Sequence, residues 1–220
     1  MRSVFFVILF VCFVFRLNAA VIGGVDFPQG AISFADEVVS YSPGFVGSNP
    51  TTPYRGSFNA IGLPDFAGAS SCPTQSDCQY VTLGDGGSII LRFVDNQLTG
   101  SGDNGLDLWV FEIGGDVEDT FVEISTDGLI WNPVGKVFGS TAGVDIDAFG
   151  FGLGSMFSYV RLIDDTNEGD QNGVTVGADI DAVGAISTVA SNPVPEPASF
   201  ALFVTGLLAV ILPRRKRSGR

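Results

Sequence analysis

The stretch Val122-Glu-Ile-Ser-Thr-Asp-Gly-Leu-Ile-Trp-Asn-Pro-Val-Gly135 carries the strongest hairpin signal of this 220-residue chain. Its centre is Asp127-Gly128, a pair that favours tight turns because glycine adopts positive φ without strain. Side chains alternate between the two faces of a strand, so Val122 and Ile124 lie on one face. The stretch therefore predicts an antiparallel hairpin with one buried face.

The chain between residues 21 and 191 repeats this kind of pattern. Short apolar runs bounded by Gly, Asp and Asn return about every ten residues, and none keeps a helical period. A segment of this size suits one domain with a substantial core. The pattern predicts an all-β sandwich with strands at 37–41, 79–83, 88–94, 107–113, 120–125, 130–138, 144–149, 157–163 and 179–186.

Charge is distributed unevenly along the chain. The net charge is -13 at pH 7, and there is no histidine. The missing imidazole excludes Ser-His and Cys-His dyads, His-ligated zinc and haem sites. All acidic residues except Glu196 lie in the body, whose basic residues are Arg55, Arg92, Lys136 and Arg161. Such an acidic surface repels phosphate backbones, so nucleic acid is excluded as a partner.

Residues 1–20 have the features of a secretory signal peptide. Arg2 precedes an apolar run over 4–15, and small residues end the segment, with cleavage expected after Ala19. The alternative is an uncleaved N-terminal anchor, although the run is shorter than the roughly 20 residues of a spanning helix. The segment predicts export of the chain.

Residues 192–220 combine three features in a fixed order. The triplet Pro195, Glu196 and Pro197 precedes a short apolar transmembrane segment, 198–212. A basic cluster follows, which keeps the end of the chain on the cytoplasmic side of the membrane. This membrane stop consists of Arg214, Arg215, Lys216 and Arg217. The tail resembles the PEP-CTERM sorting signal of Gram-negative bacteria.

The resemblance to PEP-CTERM proteins implies partners and a location. Exosortase, a membrane-embedded enzyme similar to cysteine transpeptidases, is expected to process the chain near the Pro-Glu-Pro triplet. The chain then passes from an inner-membrane intermediate to the cell surface or the extracellular space of a bacterium that makes exopolysaccharide. The alternative is a plain C-terminal anchor on a periplasmic structural protein. In both cases residues 21–191 face outward.

Three segments of the body resemble discoidin-like domains, also called F5/8 type C domains. They are the hairpin stretch 122–135, Tyr159-Val-Arg-Leu162 and Ala60-Ile-Gly-Leu-Pro-Asp65. The resemblance implies a jelly-roll, galactose-binding-like β-sandwich, here flanked by the N-terminal signal helix and the C-terminal hydrophobic helix. Domains of this family bind sugars, lipid headgroups or proteins through loops at one end. None of their ligand-binding residues is matched to a position in this chain.

An acidic repeat is the most unusual feature of the body. Gly143-Val-Asp-Ile-Asp-Ala-Phe-Gly150 and Gly177-Ala-Asp-Ile-Asp-Ala-Val-Gly184 agree at six of eight positions. In a strand, the two aspartates of each copy point to one face and repel each other unless a cation lies nearby. Ca²⁺ binds six to eight oxygens and suits such carboxylates in an exported protein. The repeat predicts structural calcium at Asp145, Asp147, Asp179 and Asp181.

Further acidic residues extend this set of calcium candidates. They are Asp116, Glu118, Asp119, Asp164, Asp165, Glu168 and Asp170. The run that starts at Asp164 fails the EF-hand pattern, because Thr166 and Glu168 stand at the third and fifth ligand positions. The alternative is that these residues form solvated turns and strand ends that keep the domain soluble.

Cys72 and Cys78 bracket a polar loop, whereas Cys12 lies in the signal peptide. The mature domain therefore has one pair of cysteines, which predicts a disulfide in an oxidising compartment. A cysteine nucleophile is disfavoured because no imidazole is available to activate it.

These features lead to three hypotheses about function. The first, and the one predicted, is a non-enzymatic module of the cell surface, extracellular matrix or biofilm that binds polysaccharide in a shallow aromatic groove at one loop end. The second is a structural matrix protein that self-associates through calcium. The third is a glycoside hydrolase that uses Glu112 and Glu123, expected on neighbouring strands, as its pair of carboxylates.

Overall fold

The computed structural model describes residues 19–68, 72–113, 118–138, 140–169 and 172–190, which are all β with short 3-10 helices and no α-helix. The strands are β1 Ala20–Ile22, β2 Val25–Phe27, β3 Glu37–Ser42, β4 Val81–Thr82, β5 Ser88–Arg92, β6 Asn96–Leu98, β7 Leu108–Glu112, β8 Thr120–Ser125, β9 Asn132–Val137, β10 Thr141–Val144, β11 Tyr159–Asp164, β12 Asp179–Ala185 and β13 Thr188–Ala190. The 3-10 helices are Gly30–Ser33, Thr52–Arg55, Ser57–Ala60, Gln75–Asp77 and Asp147–Phe149.

Two antiparallel sheets face each other and form a β-sandwich, as the sequence predicts. The first sheet has the strand order β10-β7-β12-β4, and the second has the order β3-β5-β11-β8-β9. Two short ribbons, β1-β2 and β6-β13, complete the strand pairing. Neighbours in space are therefore often distant in sequence, so residues from several segments meet at each end of the sandwich.

The predicted hairpin is formed by β8 and β9. Asp127 Oδ1 accepts a hydrogen bond from the Leu129 backbone N–H at 2.8 Å, and Gly128 has a φ of 75°. Asp127 and Gly128 thus make the turn for the reasons that the sequence suggests. Val122 and Ile124 are fully buried, which confirms the predicted buried face.

A core of aliphatic side chains fills the space between the two sheets. Its largest members are Ile89, Leu91, Leu108, Ile124, Leu162 and Ile180. A second cluster covers the outer face of the first sheet, where the Phe27 and Phe34 rings lie 4.7 Å apart and pack near Phe111. All seven residues of β12 are consequently buried, because this strand is covered on both faces.

The predicted strand 144–149 is wrong. β10 ends at Val144, and the chain then forms the 3-10 helix Asp147–Phe149. The Asp107 carboxylate accepts a hydrogen bond from the Ile146 N–H at 2.9 Å, and the Ile146 side chain enters the core. This contact with a distant residue bends the chain. The short strands β1, β2, β6 and β13 were not predicted, because three residues are too few to show alternation.

The predicted terminal segments lie outside the described residues. These segments are the signal peptide up to residue 18, the Pro-Glu-Pro triplet, the apolar segment 198–212 and the basic cluster that follows it. In the part of the chain that the structure describes, no helix is long and apolar enough to cross a bilayer.

Candidate functional site

The two copies of the acidic repeat lie at opposite ends of the first sheet. At one end of β7, Leu108 pairs with Val144, which directly precedes the aspartates of the first copy. At the other end, Glu112 pairs with Ile180, which lies between the aspartates of the second copy. Four residues of strand separate these points, which is about 13 Å at roughly 3.3 Å per residue. The predicted ligands therefore form two groups, Asp145 with Asp147 and Asp179 with Asp181.

Asp107 joins Asp145 and Asp147 in the first group. One carboxylate oxygen of each residue lies within 4.8 Å of the others. Asp107 is fully buried and accepts backbone N–H groups from Ser101 at 2.8 Å and Ile146 at 2.9 Å. The expected strand geometry does not hold, because Asp147 begins a 3-10 helix. Calcium at this group stays a prediction, with Asp107 as a third oxygen donor that sequence reasoning missed.

Asp179 and Asp181 make different contacts from the same strand. Asp179 accepts a hydrogen bond from Thr82 Oγ1. Asp181 accepts the backbone N–H groups of Asp65 and Phe66, each at 3.2 Å. Burial raises the pKa of Asp181 to about 6 and raises that of Asp179 well above its usual range. Asp181 thus holds a loop against β12, whereas Asp179 faces other carboxylates.

We call the cluster that contains Asp179 the acidic end. Its members, each at most 8% exposed, are Glu112, Glu118, Asp119, Asp164, Asp165 and Asp179. Burial, and then the charge of Glu118, raise the pKa of Glu112 to about 9. The Lys136 ammonium pairs with Asp119 at 2.6 Å and also with Asp165. Of the other calcium candidates, Glu168 is exposed, and Asp116 and Asp170 lie outside the described residues.

The proposed hydrolase pair is not assembled. Glu112 lies on β7 in the first sheet, and Glu123 lies on β8 in the second, so the expectation of neighbouring strands is wrong. Glu123 instead forms an ion pair with Arg161, whose guanidinium carbon lies 4.5 Å from the Trp131 ring centroid. Glu123 therefore has a structural partner on the outer face of its sheet.

A groove of about 510 Å³ lies beside the disulfide, and we call it the disulfide groove. Its lining residues are Thr52, Pro53, Phe58, Pro73, Thr74, Gln75 and Ser76. None of them is charged, and the Phe58 side chain is 51% exposed. The groove thus offers one aromatic face together with hydroxyl and amide groups.

Contacts between two segments hold the disulfide groove together. Cys72 and Cys78 form the predicted disulfide, with their Cα atoms 5.0 Å apart. The Gln75 side-chain amide donates a hydrogen bond to the Thr52 carbonyl at 2.9 Å, and the Asn59 amide donates one to the Gln75 carbonyl at 3.0 Å. Sequence reasoning missed this groove, although the cysteine pair and the density of proline marked both segments as constrained.

Comparisons with known proteins give little guidance on function. No family model matches the chain, and no curated protein is similar to it. Among the solved structures that match is CpGH89CBM32-6 produced by Clostridium perfringens, with a TM-score of 0.34 and 12% identity over 70% of this chain and 94% of that chain. Similarity at this level does not identify a ligand, so the function is inferred from the residues of the chain itself.

Proposed function

We propose that this chain is an exported surface module that binds neutral polysaccharide in the disulfide groove. The observation that carries the proposal is the chemistry of the groove: its lining residues are uncharged and include the half-exposed ring of Phe58. The domain around it is strongly acidic and repels anionic polymers. Neutral sugars are therefore the ligands that suit this surface.

Each part of the disulfide groove suits a part of a sugar ring. The exposed ring of Phe58 offers an apolar face for the C–H face of a sugar. The hydroxyl oxygens of Thr74 and Ser76 and the side-chain carbonyl of Gln75 can accept hydrogen bonds from sugar hydroxyls. The Thr74 hydroxyl and the Gln75 amide N–H already donate to Asp77 and to the Thr52 carbonyl. A volume of about 510 Å³ falls in the range of small-ligand sites. The disulfide and the two prolines that line the groove restrict its backbone before a ligand binds, so less conformational entropy is lost on binding.

The location is the second part of the proposal. The signal peptide over 1–20 directs export, and the disulfide suits an oxidising compartment. Exosortase then recognises the PEP-CTERM-like tail and processes the chain near the Pro-Glu-Pro triplet. The module reaches the cell surface, where exopolysaccharide is available. Mass spectrometry of the exported protein tests this step, because a tail intact through Arg220 would instead indicate a plain membrane anchor.

Affinity electrophoresis tests polysaccharide binding directly. The full chain, purified with detergent, is run in gels that contain a neutral glucan, a neutral galactan or an anionic polysaccharide. We expect a neutral polymer to retard the wild type, and we expect Phe58→Ala to lose most of the retardation because it removes the aromatic face.

Phe138→Ala is the matched control for this experiment. Phe138 is 61% exposed but does not line the disulfide groove, so its removal should leave the retardation unchanged. Equal retardation of the wild type and Phe58→Ala, or retardation by the anionic polymer alone, would contradict the proposal.

A further inference from the structure

Glu112 is a buried acid that no described contact explains. Its side chain is 4% exposed, and neither carboxylate oxygen has a hydrogen-bond partner. It lies at the end of β7, where the chain leaves the first sheet. Burying a carboxylate without a partner is costly, so such groups are normally paired, protonated or bound to a metal ion.

The surroundings of Glu112 make this burial still more costly. Glu118, Asp164 and Asp179 are also buried and lie close enough for their charges to act on Glu112. The Asp164 carboxylate accepts backbone N–H groups from Gly86 at 2.9 Å and from Ala178 at 2.8 Å. These bonds fix Asp164 as part of the backbone framework. The carboxyl groups of Glu112 and Asp179 lie on paired strands, and the charge of Glu118 acts on Glu112.

The chain closes tightly over this part of the acidic end. A Cβ atom placed on Gly169 would lie 2.2 Å from Glu118 Cγ, and Gly169 has a φ of +80°. Only glycine fits there, which allows the segment after β11 to pack directly on the Glu118 side chain. Glu112 also lines a cleft of about 310 Å³ with Thr141 and Asp181.

The basic residues of the described chain do not neutralise Glu112. Arg92 pairs with Glu37, and Arg161 pairs with Glu123. Arg55 donates a hydrogen bond to the Thr52 hydroxyl and lies over the Phe45 ring. Lys136 divides its ammonium between Asp119 and Asp165. No described ion pair reaches Glu112 or Asp179.

A proton on Glu112 is an incomplete solution. Protonation removes one negative charge, but it creates an O–H donor that also needs an acceptor, and neither Glu112 oxygen has a partner. A divalent cation neutralises two charges and satisfies several oxygens at once. The all-oxygen chemistry of the cluster suits a hard cation, since the chain has no histidine and its two described cysteines form a disulfide.

We propose that Glu112, Glu118 and Asp179 bind a calcium ion at the acidic end. Calcium tolerates irregular shells of six to eight oxygens, whereas magnesium demands a near-ideal octahedron. This site takes one aspartate of the second repeat copy and is separate from the group of Asp107, Asp145 and Asp147 at the opposite end of the sheet. Among the described carboxylates, only those of the Asp107 group bring three oxygens within 4.8 Å of one another. Calcium binding at the acidic end therefore requires its carboxylates, which repel one another without an ion, to move closer together.

Thermal melting of the full chain in calcium and in EDTA tests the site. At a calcium concentration of about 100 times the dissociation constant, the ratio of folded to unfolded protein rises about 100-fold, which raises Tm by about 5–11 °C. We expect Glu112→Gln to lose this rise. In EDTA we expect the same variant to melt no earlier than the wild type, because neither Glu112 oxygen has a hydrogen-bond partner to lose. A residue with only a structural role would lower Tm in both buffers.

Asp145→Asn is the matched control, because it removes a carboxylate from the other acidic group. This variant should keep the part of the calcium response that Glu112→Gln removes, whether or not the Asp107 group binds calcium as well. Should Glu112→Gln fail to fold, Glu118→Gln is tested in the same way, and a calcium response that persists there overturns the proposal. Equal melting of the wild type in calcium and EDTA, or loss of the response in Asp145→Asn alone, also overturns it. The outcome is independent of polysaccharide binding.

Discussion

Replacing Cys72 and Cys78 together by serine tests how much the disulfide contributes to stability. The two cysteines are six positions apart, so their bond closes a loop of about seven residues. For such a loop, chain entropy gives a stabilisation of about 2 kcal/mol at 25 °C. In a domain of this size, the loss lowers Tm by about 4–8 °C. We expect the double variant to melt earlier than the wild type by this amount.

The same substitution should weaken polysaccharide binding. Pro73, Thr74, Gln75 and Ser76 line the disulfide groove and lie inside the loop that the disulfide closes. When the disulfide is absent, these residues must be ordered on binding, which costs about 1–2 kcal/mol for each residue that had become mobile. Ordering even one of them corresponds to an affinity loss of about tenfold.

Circular dichroism melting and affinity electrophoresis measure the two effects on the same preparations. Wild type treated with dithiothreitol should melt together with the double variant, and the reductant should leave the variant unchanged. Equal melting temperatures of oxidised and reduced wild type would refute the reasoning about stability. Unchanged retardation of the double variant would refute the reasoning about the groove.

Three further predictions concern stability. Asp181→Ala removes the acceptor of two backbone N–H groups, and we expect urea denaturation to show a loss of about 2–4 kcal/mol. Leu162→Ala opens a cavity in the core and should cost about 2–5 kcal/mol, whereas Leu129→Ala, at an exposed position, should cost less than about 0.5 kcal/mol. Lys136 lowers the pKa of Asp165 to about 2, so this pair stabilises the fold above the unfolded pKa of Asp165, near 3.8. This contribution is lost as pH falls from 3.8 towards 2, and Lys136→Met should flatten that part of a Tm–pH curve recorded in EDTA; parallel curves would contradict the assignment.

Features encoded by neighbouring residues could be predicted from the sequence. Asp127 and Gly128 make a turn by local backbone chemistry, so the hairpin of β8 and β9 is where the sequence suggests. Alternation along β8 and β11 identifies their buried faces, because side chains of a strand alternate whatever the partner strands are. The pairing of Cys72 with Cys78 is also local, since only one pair of cysteines lies in the body.

Contacts between distant segments explain the errors. The strand predicted over 144–149 bends because Asp107, far away in sequence, accepts the Ile146 N–H. Glu112 and Glu123 do not form a pair, because the consecutive strands β7 and β8 enter different sheets. Propensity and periodicity contain no information on which sheet a strand joins.

The sequence by itself determined the strand-rich architecture, the β8–β9 hairpin, the disulfide and the acidic character of the body, because each depends on composition or on residues close together in the chain. Only the tertiary structure decided where the carboxylates meet. The order β10-β7-β12-β4 sends the two copies of one repeat to opposite ends of a sheet and places Asp179 beside Glu112. The tertiary structure likewise brings the segments around Thr52 and Gln75 together to form the disulfide groove. Burial and proximity between distant segments arise only when the sheets pack, so the chemistry of both sites depends on the folded chain.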